Sequence, residues 1–139
     1  MGDVDVSALI ASLQGLQHRA SPAAQAAVDG MAEAAETAMR AALSRGPAPS
    51  APGSPPARRS GALRRSVEAR PAFQTGPARW EARTYSGIAY ARIHEVGGWT
   101  GRNHASYLPP RPYVAPTVIS MRGVLERIAA DTFAREVGL

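Results

Sequence analysis

The sequence predicts an α+β fold: a small, mostly antiparallel sheet packed by a long N-terminal helix and a C-terminal helix, with a Pro/Ala-rich extended arm. Three observations carry that expectation. Apolar residues recur at helical spacing near both ends of the chain, two short alternating segments flank a Gly-Pro turn in the middle, and aromatic residues are scarce while alanine is abundant. With 139 residues the chain is read as a single domain over 1–139. That length buries roughly 65–70% of the unfolded surface, enough for a small aliphatic core.

Residues 3 to 18 place Val6, Leu9, Leu13 and Leu16 three and four apart, with Asp3 and Asp5 near the positive end of the helix they would start. Ser21-Pro22 is expected to open a second helix over 21 to 45, because serine caps and proline is tolerated in the first turn. Its stripe is Val28, Met31, Ala35, Ala38 or Met39, and Ala42 or Leu43, opposite Asp29, Glu33, Glu36 and Arg40, and Gly46-Pro47 stops it.

The segment 46 to 57, GPAPSAPGSPPA, holds only small residues and prolines and is expected to be an exposed extended arm. It is either a simple tether or a segment that orders on a neighbour. Arg58, Arg59, Arg64, Arg65 and Arg70 follow, offset locally only by Glu68. Such a cluster is a solvated face, a contact for acidic surfaces of neighbouring subunits, or a contact for DNA phosphates. Within it Leu63 and Val67 are spaced to dock one helical turn, with Ser60 as its cap.

Residues 66 to 73 and 79 to 85 alternate, and the Gly76-Pro77 turn between them predicts an antiparallel hairpin with Trp80, Ala82 and Thr84 on one face. Next, YARIHEVGG reads as a short helix closed by Gly97-Gly98. The stretch LPPRPYVAP, with four prolines from Pro109 to Pro116, excludes regular helix but leaves room for an edge strand near 107 to 114. A last helix is expected over 116 to 137, with Met121, Val124, Leu125, Ile128, Phe133 and Val137 on its apolar side.

The residues give little support to catalysis. His94-Glu95 looks like part of a zinc-protease helix, but position 98 is glycine, so the second ligand is missing, and His104 lies across a glycine break. There is no cysteine, no Gly-rich phosphate loop and no Gly-x-Ser-x-Gly elbow. The expectation is no enzyme, no metal and no cofactor. The acidic N-terminal residues do not suit a secretion signal, so the chain is expected to be soluble and made without export.

Three phrases occur in order: SGALRRSV at 60 to 67, YARIHEVGG at 90 to 98, and P-x-RPY-x-x-P ending at Pro116. Together they resemble the neck and tail-completion proteins of long-tailed bacteriophages, including the minor tail protein Z type and related virion morphogenesis proteins. The resemblance implies a structural virion protein at the head–tail junction, assembled in the host cytoplasm, and a homo-oligomeric ring, with six-fold symmetry the expectation. Its partners would be copies of itself and neighbouring connector and tail proteins, with non-specific contact to DNA in the channel and none to membrane. Val96 stands where many relatives carry an aromatic residue. Candidate subunit contacts are Trp99, Arg102, Tyr107, Arg111 and Tyr113; Trp99 on the loop 97 to 106 is either buried by a neighbour or folded back on its own domain. The arginines at 58, 59, 64, 65 and 70 face the channel or an acidic neighbour. A different reading from charge alone, with +5 net, is a small basic nucleic-acid-binding protein that uses the Arg58–Arg70 cluster.

Overall fold

The computed structural model describes residues 6–46 and 48–139. The N-terminal acids Asp3 and Asp5 and the helix-stopping Pro47 lie outside the described residues. A helix α1 (Val6–Ala42) forms the spine; at 37 residues it is about 55 Å long. The expected break at Ser21-Pro22 does not occur: Pro22 sits inside one continuous helix. Proline removes one intrahelical bond and crowds the preceding turn. That cost is offset where the following turns pack, because Ala23 and Ala27 are buried and the Trp80 indole donates to Ser21 Oγ at 3.1 Å.

The order then runs α2 (Ala62–Arg65), β1 (Val67–Gly76), β2 (Arg79–Ser86), α3 (Ala91–Val96), β3 (Gly98–Thr100), a 3-10 turn (Arg102–His104), β4 (Ser106–Leu108) and α4 (Val114–Val137). The β1–β2 hairpin is antiparallel, pairing Val67 with Ser86 and Ala69 with Thr84, with a register irregularity between Arg70 and Phe73. It lies against α1, as does α4. The α1–α4 approach is close at Gly30, where a Cβ would stand 3.3 Å from Ile128 Cγ2.

The face of α1 expected to be its polar side is not simply solvated. Asp29 Oδ1 accepts the Ala72 N–H at 2.6 Å, Glu36 Oε2 accepts the Ala69 N–H at 2.7 Å, and Arg40 donates through Nη2 to the Val67 carbonyl at 2.7 Å. Glu36 and Arg40 also pair with each other at 2.7 Å, one turn apart. A two-stranded ribbon leaves the outer backbone groups of β1 without a strand partner, and these side chains supply the missing bonds. On the inner side of β2, Thr84 Oγ1 donates to the Ala32 carbonyl at 2.8 Å, which agrees with the face expected for Trp80, Ala82 and Thr84.

The proline-rich stretch does not add a strand to the hairpin. Instead β3 and β4 form a separate two-stranded ribbon, and Pro109, Pro110 and Pro112 lie beyond its end, where missing donors and fixed φ stop the ladder. The core sits at the C-terminal end of α1: Met39, Leu43, Leu63, Val67, Ala91 and Tyr113, with Ile88 and Val114 packed on it. A docking turn is there as α2, with Leu63 buried, but Val67 already belongs to β1 and the N-cap is Gly61, not the expected Ser60, whose Oγ accepts the Ala62 N–H at 3.3 Å from one position earlier. On α4, Met121, Leu125, Ile128 and Val137 turn inward to different degrees, whereas Val124 and Phe133 are exposed.

Residues 46 to 57 contain no helix or strand among those described, but they are not all exposed. Pro56 is buried, the Gly53 N–H donates to the Pro110 carbonyl at 2.9 Å, and the Ser50 carbonyl accepts from Arg111 Nε at 3.1 Å. The segment is thus strapped onto the proline-rich bend of its own chain.

Candidate functional site

The bend that follows α3 organises the rest. Helix α3 is too short to persist alone, and it is closed by Gly97 at φ 72° and ψ 178°, a region open essentially to glycine. A Cβ at Gly97 would come within 2.9 Å of the Leu108 carbonyl oxygen and of Pro110, so the chain crosses itself there without side-chain clearance. His94 and Glu95 then bind the returning strand of chain. The Arg111 N–H donates to the His94 carbonyl at 2.6 Å. Glu95 Oε2 accepts the N–H groups of Tyr113 and Val114 at 2.8 and 2.9 Å, and Oε1 accepts that of Ala115 at 2.9 Å.

That set accounts for the start of α4. Its N-cap residue is Tyr113, whose own side chain does not cap, so four successive backbone positions from Tyr113 to Pro116 have no intrahelical acceptor. Three donate to Glu95 and the fourth is a proline with no N–H. The carboxylate also faces the positive end of the helix dipole. Glu95 is therefore a remote N-cap that fastens the C-terminal helix to α3. Tyr113 beside it is only 2% exposed and its hydroxyl bonds with Ser86, so it belongs to the core and not to a subunit contact surface. Burial, followed by the nearby Glu95 charge, raises its pKa, against the lowering by the Ser86 bond.

Around the other side of α3 lies a cleft of about 480 Å³ walled by residues 49–50 and 56–64, with Tyr90, His94, Leu108 and Arg111. Arg58, Arg59, Arg64 and Arg111 line it, and among the described residues no aspartate or glutamate does. The five arginines singled out from the sequence are all exposed, but only three of them share this cleft. Arg64 Nε donates to the Arg40 carbonyl at 3.3 Å. Arg65 turns back to the Ser60 carbonyl at 3.0 Å. Arg70 is on the hairpin, stacked 4.5 Å over the Tyr85 ring and bonded to its hydroxyl, which in turn donates to Glu68. Arg111, expected at a subunit contact, is half-buried and holds the 46–57 segment through Ser50.

Two buried side-chain polar atoms have no hydrogen-bond partner among the described residues, Ser50 Oγ and His94 Nδ1, and both residues line this cleft. Desolvation, and then the Arg111 charge, hold the His94 pKa below its usual value. Sequence reasoning missed the cleft because Ser50, His94 and Arg111 come from three distant segments. Among the described residues no cluster of three His, Cys, Asp or Glu side chains is placed to hold a metal ion.

The remaining candidates are on the β3–β4 ribbon. Trp99 is 62% exposed, packed edge-on to Tyr107 with ring centroids 5.4 Å apart, and Arg102 is exposed at the tip. The Trp99 ring is thus neither free-standing nor folded into its own core. A second exposed apolar surface runs along the start of α1, where Val6, Leu9, Ile10 and Leu13 are each at least half exposed. No helix among the described residues is long and apolar enough to cross a membrane. Comparison with protein-family models, with curated proteins and with solved structures gives no match to this chain.

Proposed function

We propose that this chain is a structural, non-catalytic virion protein at the head–tail junction of a tailed phage or phage-like particle. It completes the tail or neck so that head and tail join, as a homo-oligomeric ring around the DNA channel. The observation that carries the reading is the overhanging start of α1, where Val6, Leu9, Ile10, Leu13 and Leu16 form a largely exposed aliphatic stripe. A helix keeps such a stripe in water only at a cost, and a contiguous patch of this kind marks an interaction surface. In a closed ring, the projecting element of each subunit covers the next one around. The exposed Trp99–Tyr107 pair offers a second aromatic anchor for the same assembly or for a connector or tail protein. The ordered phrases SGALRRSV, YARIHEVGG and P-x-RPY-x-x-P support the phage assignment.

The test has two parts. Native mass spectrometry of the full chain is expected to give a ring, with six copies the expectation, and Leu9→Ser/Leu13→Ser is expected to release monomers that keep their circular-dichroism spectrum. Gold-labelled antibody on purified particles is expected at the junction of head and tail. A chain that stays monomeric at high concentration and is absent from particles at every stage of assembly overturns the proposal.

One observation favours the nucleic-acid reading: among the described residues, none of Arg58, Arg59, Arg64, Arg65 and Arg70 forms an ion pair with a carboxylate. Replacing the arginines at 58, 59, 64 and 65 by glutamine separates the two. Loss of salt-sensitive DNA binding with intact assembly favours the DNA binder, and defective head–tail joining favours the neck protein.

A further inference from the structure

The cleft beside α3 has the chemistry of an anion site. Four arginines, Arg58, Arg59, Arg64 and Arg111, line it, and among the described residues no aspartate or glutamate does. Like charges gathered this way repel one another, and no acidic side chain among the described lining residues offsets them. Ser50 and His94 both belong to this lining, and their Oγ and Nδ1 atoms are enclosed just behind it without a hydrogen-bond partner among the described residues. A buried polar atom without a bond costs free energy, and two behind one wall are explained together if a ligand supplies the missing partners.

We propose that this cleft binds a phosphate group, with the side chains of Arg58, Arg59, Arg64 and Arg111 around it, and that Ser50 Oγ and His94 Nδ1, enclosed in the free protein, turn toward it as its inner polar contacts. Guanidinium forks match phosphate oxygens in pairs, and a hydroxyl and an imidazole N–H donate to the oxygens that remain. Arg111 is already oriented, since its Nε is fixed on the Ser50 carbonyl at 3.1 Å and its backbone N–H on the His94 carbonyl at 2.6 Å. Arg64 is likewise held through Nε on the Arg40 carbonyl. The volume, about 480 Å³, exceeds what a bare phosphate fills and admits the sugar or chain that carries it. The phosphate comes either from a free phosphorylated compound or from a nucleic-acid backbone, and both present the same oxygens. This inference rests on the cleft and is independent of the ring proposed above.

The experiment is calorimetric titration of the full chain with inorganic phosphate and pyrophosphate at fixed ionic strength, with NMR observation of the His94 imidazole. The expected result is saturable binding that shifts the His94 signals. Arg58→Gln/Arg59→Gln, which removes two exposed side chains, is expected to weaken it at least about tenfold. Arg19→Gln/Arg127→Gln, with the same net charge but both changes outside the cleft lining, is expected to leave it unchanged. Competition by a short DNA duplex then assigns the phosphate to a nucleic-acid backbone, and failure to compete assigns it to a free compound. An adventitious ion only, seen as weak binding that is equal in all three proteins or that leaves His94 unmoved, overturns the proposal. An equal loss in both double variants overturns it as well, since net charge alone then accounts for the binding.

Discussion

Removing the Glu95 carboxylate tests whether a side chain on one helix caps another. In Glu95→Ala the N–H groups of Tyr113, Val114 and Ala115 lose their acceptors, at present 2.8, 2.9 and 2.9 Å away. A hydrogen bond to a charged group contributes about 1.5–3 kcal/mol, and loss of a single N-cap costs about 0.5–2 kcal/mol. The three bonds share one half-buried carboxylate and are not additive, and water reaches the exposed Ala115 end once the side chain is gone. Tyr113 is core, so its N–H is the one that water reaches least. Together these give an expected loss of about 2–4 kcal/mol for Glu95→Ala, a large share of the ~5–15 kcal/mol that holds a domain of this kind together. Glu95→Gln keeps one acceptor oxygen and removes the charge from the helix terminus, for an expected loss of about 1–2 kcal/mol. Urea unfolding at pH 7 reads the difference as a lower midpoint with an unchanged slope. Hydrogen exchange locates it, with faster exchange expected first at Tyr113, Val114 and Ala115. A Glu95→Ala protein within about 0.5 kcal/mol of the parent, the scatter expected for an ordinary surface change, refutes the capping argument.

Two further outcomes follow from the same bend. Gly97→Ala places a Cβ within 2.9 Å of the Leu108 carbonyl and of Pro110 at φ 72°, so an expected loss of about 2–4 kcal/mol should appear in thermal or urea unfolding; an unchanged midpoint would show that the crossing is looser than drawn. His94 has its pKa lowered in the fold by desolvation and then by Arg111, so the unfolded chain binds the extra proton first. Stability contributed by neutral His94 is complete above about pH 6.5 and is lost as pH falls from there through the folded value. In phosphate-free buffer His94→Gln should flatten the fall in melting temperature between pH 7.5 and about 5.5, and identical slopes in the two proteins would argue against it.

The arginine cluster shows how far a one-dimensional reading reaches. Five arginines close in sequence look like one patch, but Arg70 enters the hairpin and Arg65 turns back on Ser60, while Arg111 arrives from far along the chain. Electrostatic grouping depends on distance in space, which sequence separation does not report. Tyr113 illustrates the converse. Placed among prolines and two residues after Arg111, it looks like a surface residue, yet the crossing at Gly97 carries it into the core.

The sequence by itself determined the elements whose signal is local. The β1–β2 hairpin follows from alternation around Gly76-Pro77, α3 from a short periodic run closed by Gly97, and most of α4 from its apolar periodicity, although α4 starts at Val114, inside the stretch expected to exclude helix, and α2 ends before Val67, which opens β1. These depend on residues a few positions apart, and the chain can satisfy them before it folds. Only the tertiary structure decided the rest. Pro22 stays inside α1 because the turns after it are packed on the hairpin and α4. Asp29, Glu36 and Arg40 turn onto β1 because its outer edge needs bonds that no strand provides. Glu95 finds its role only when a helix start lying eighteen residues further along is brought to it. In each case the deciding term is a backbone group that must be paired or a surface that must be covered, and its partner is chosen by the fold and not by the neighbouring sequence.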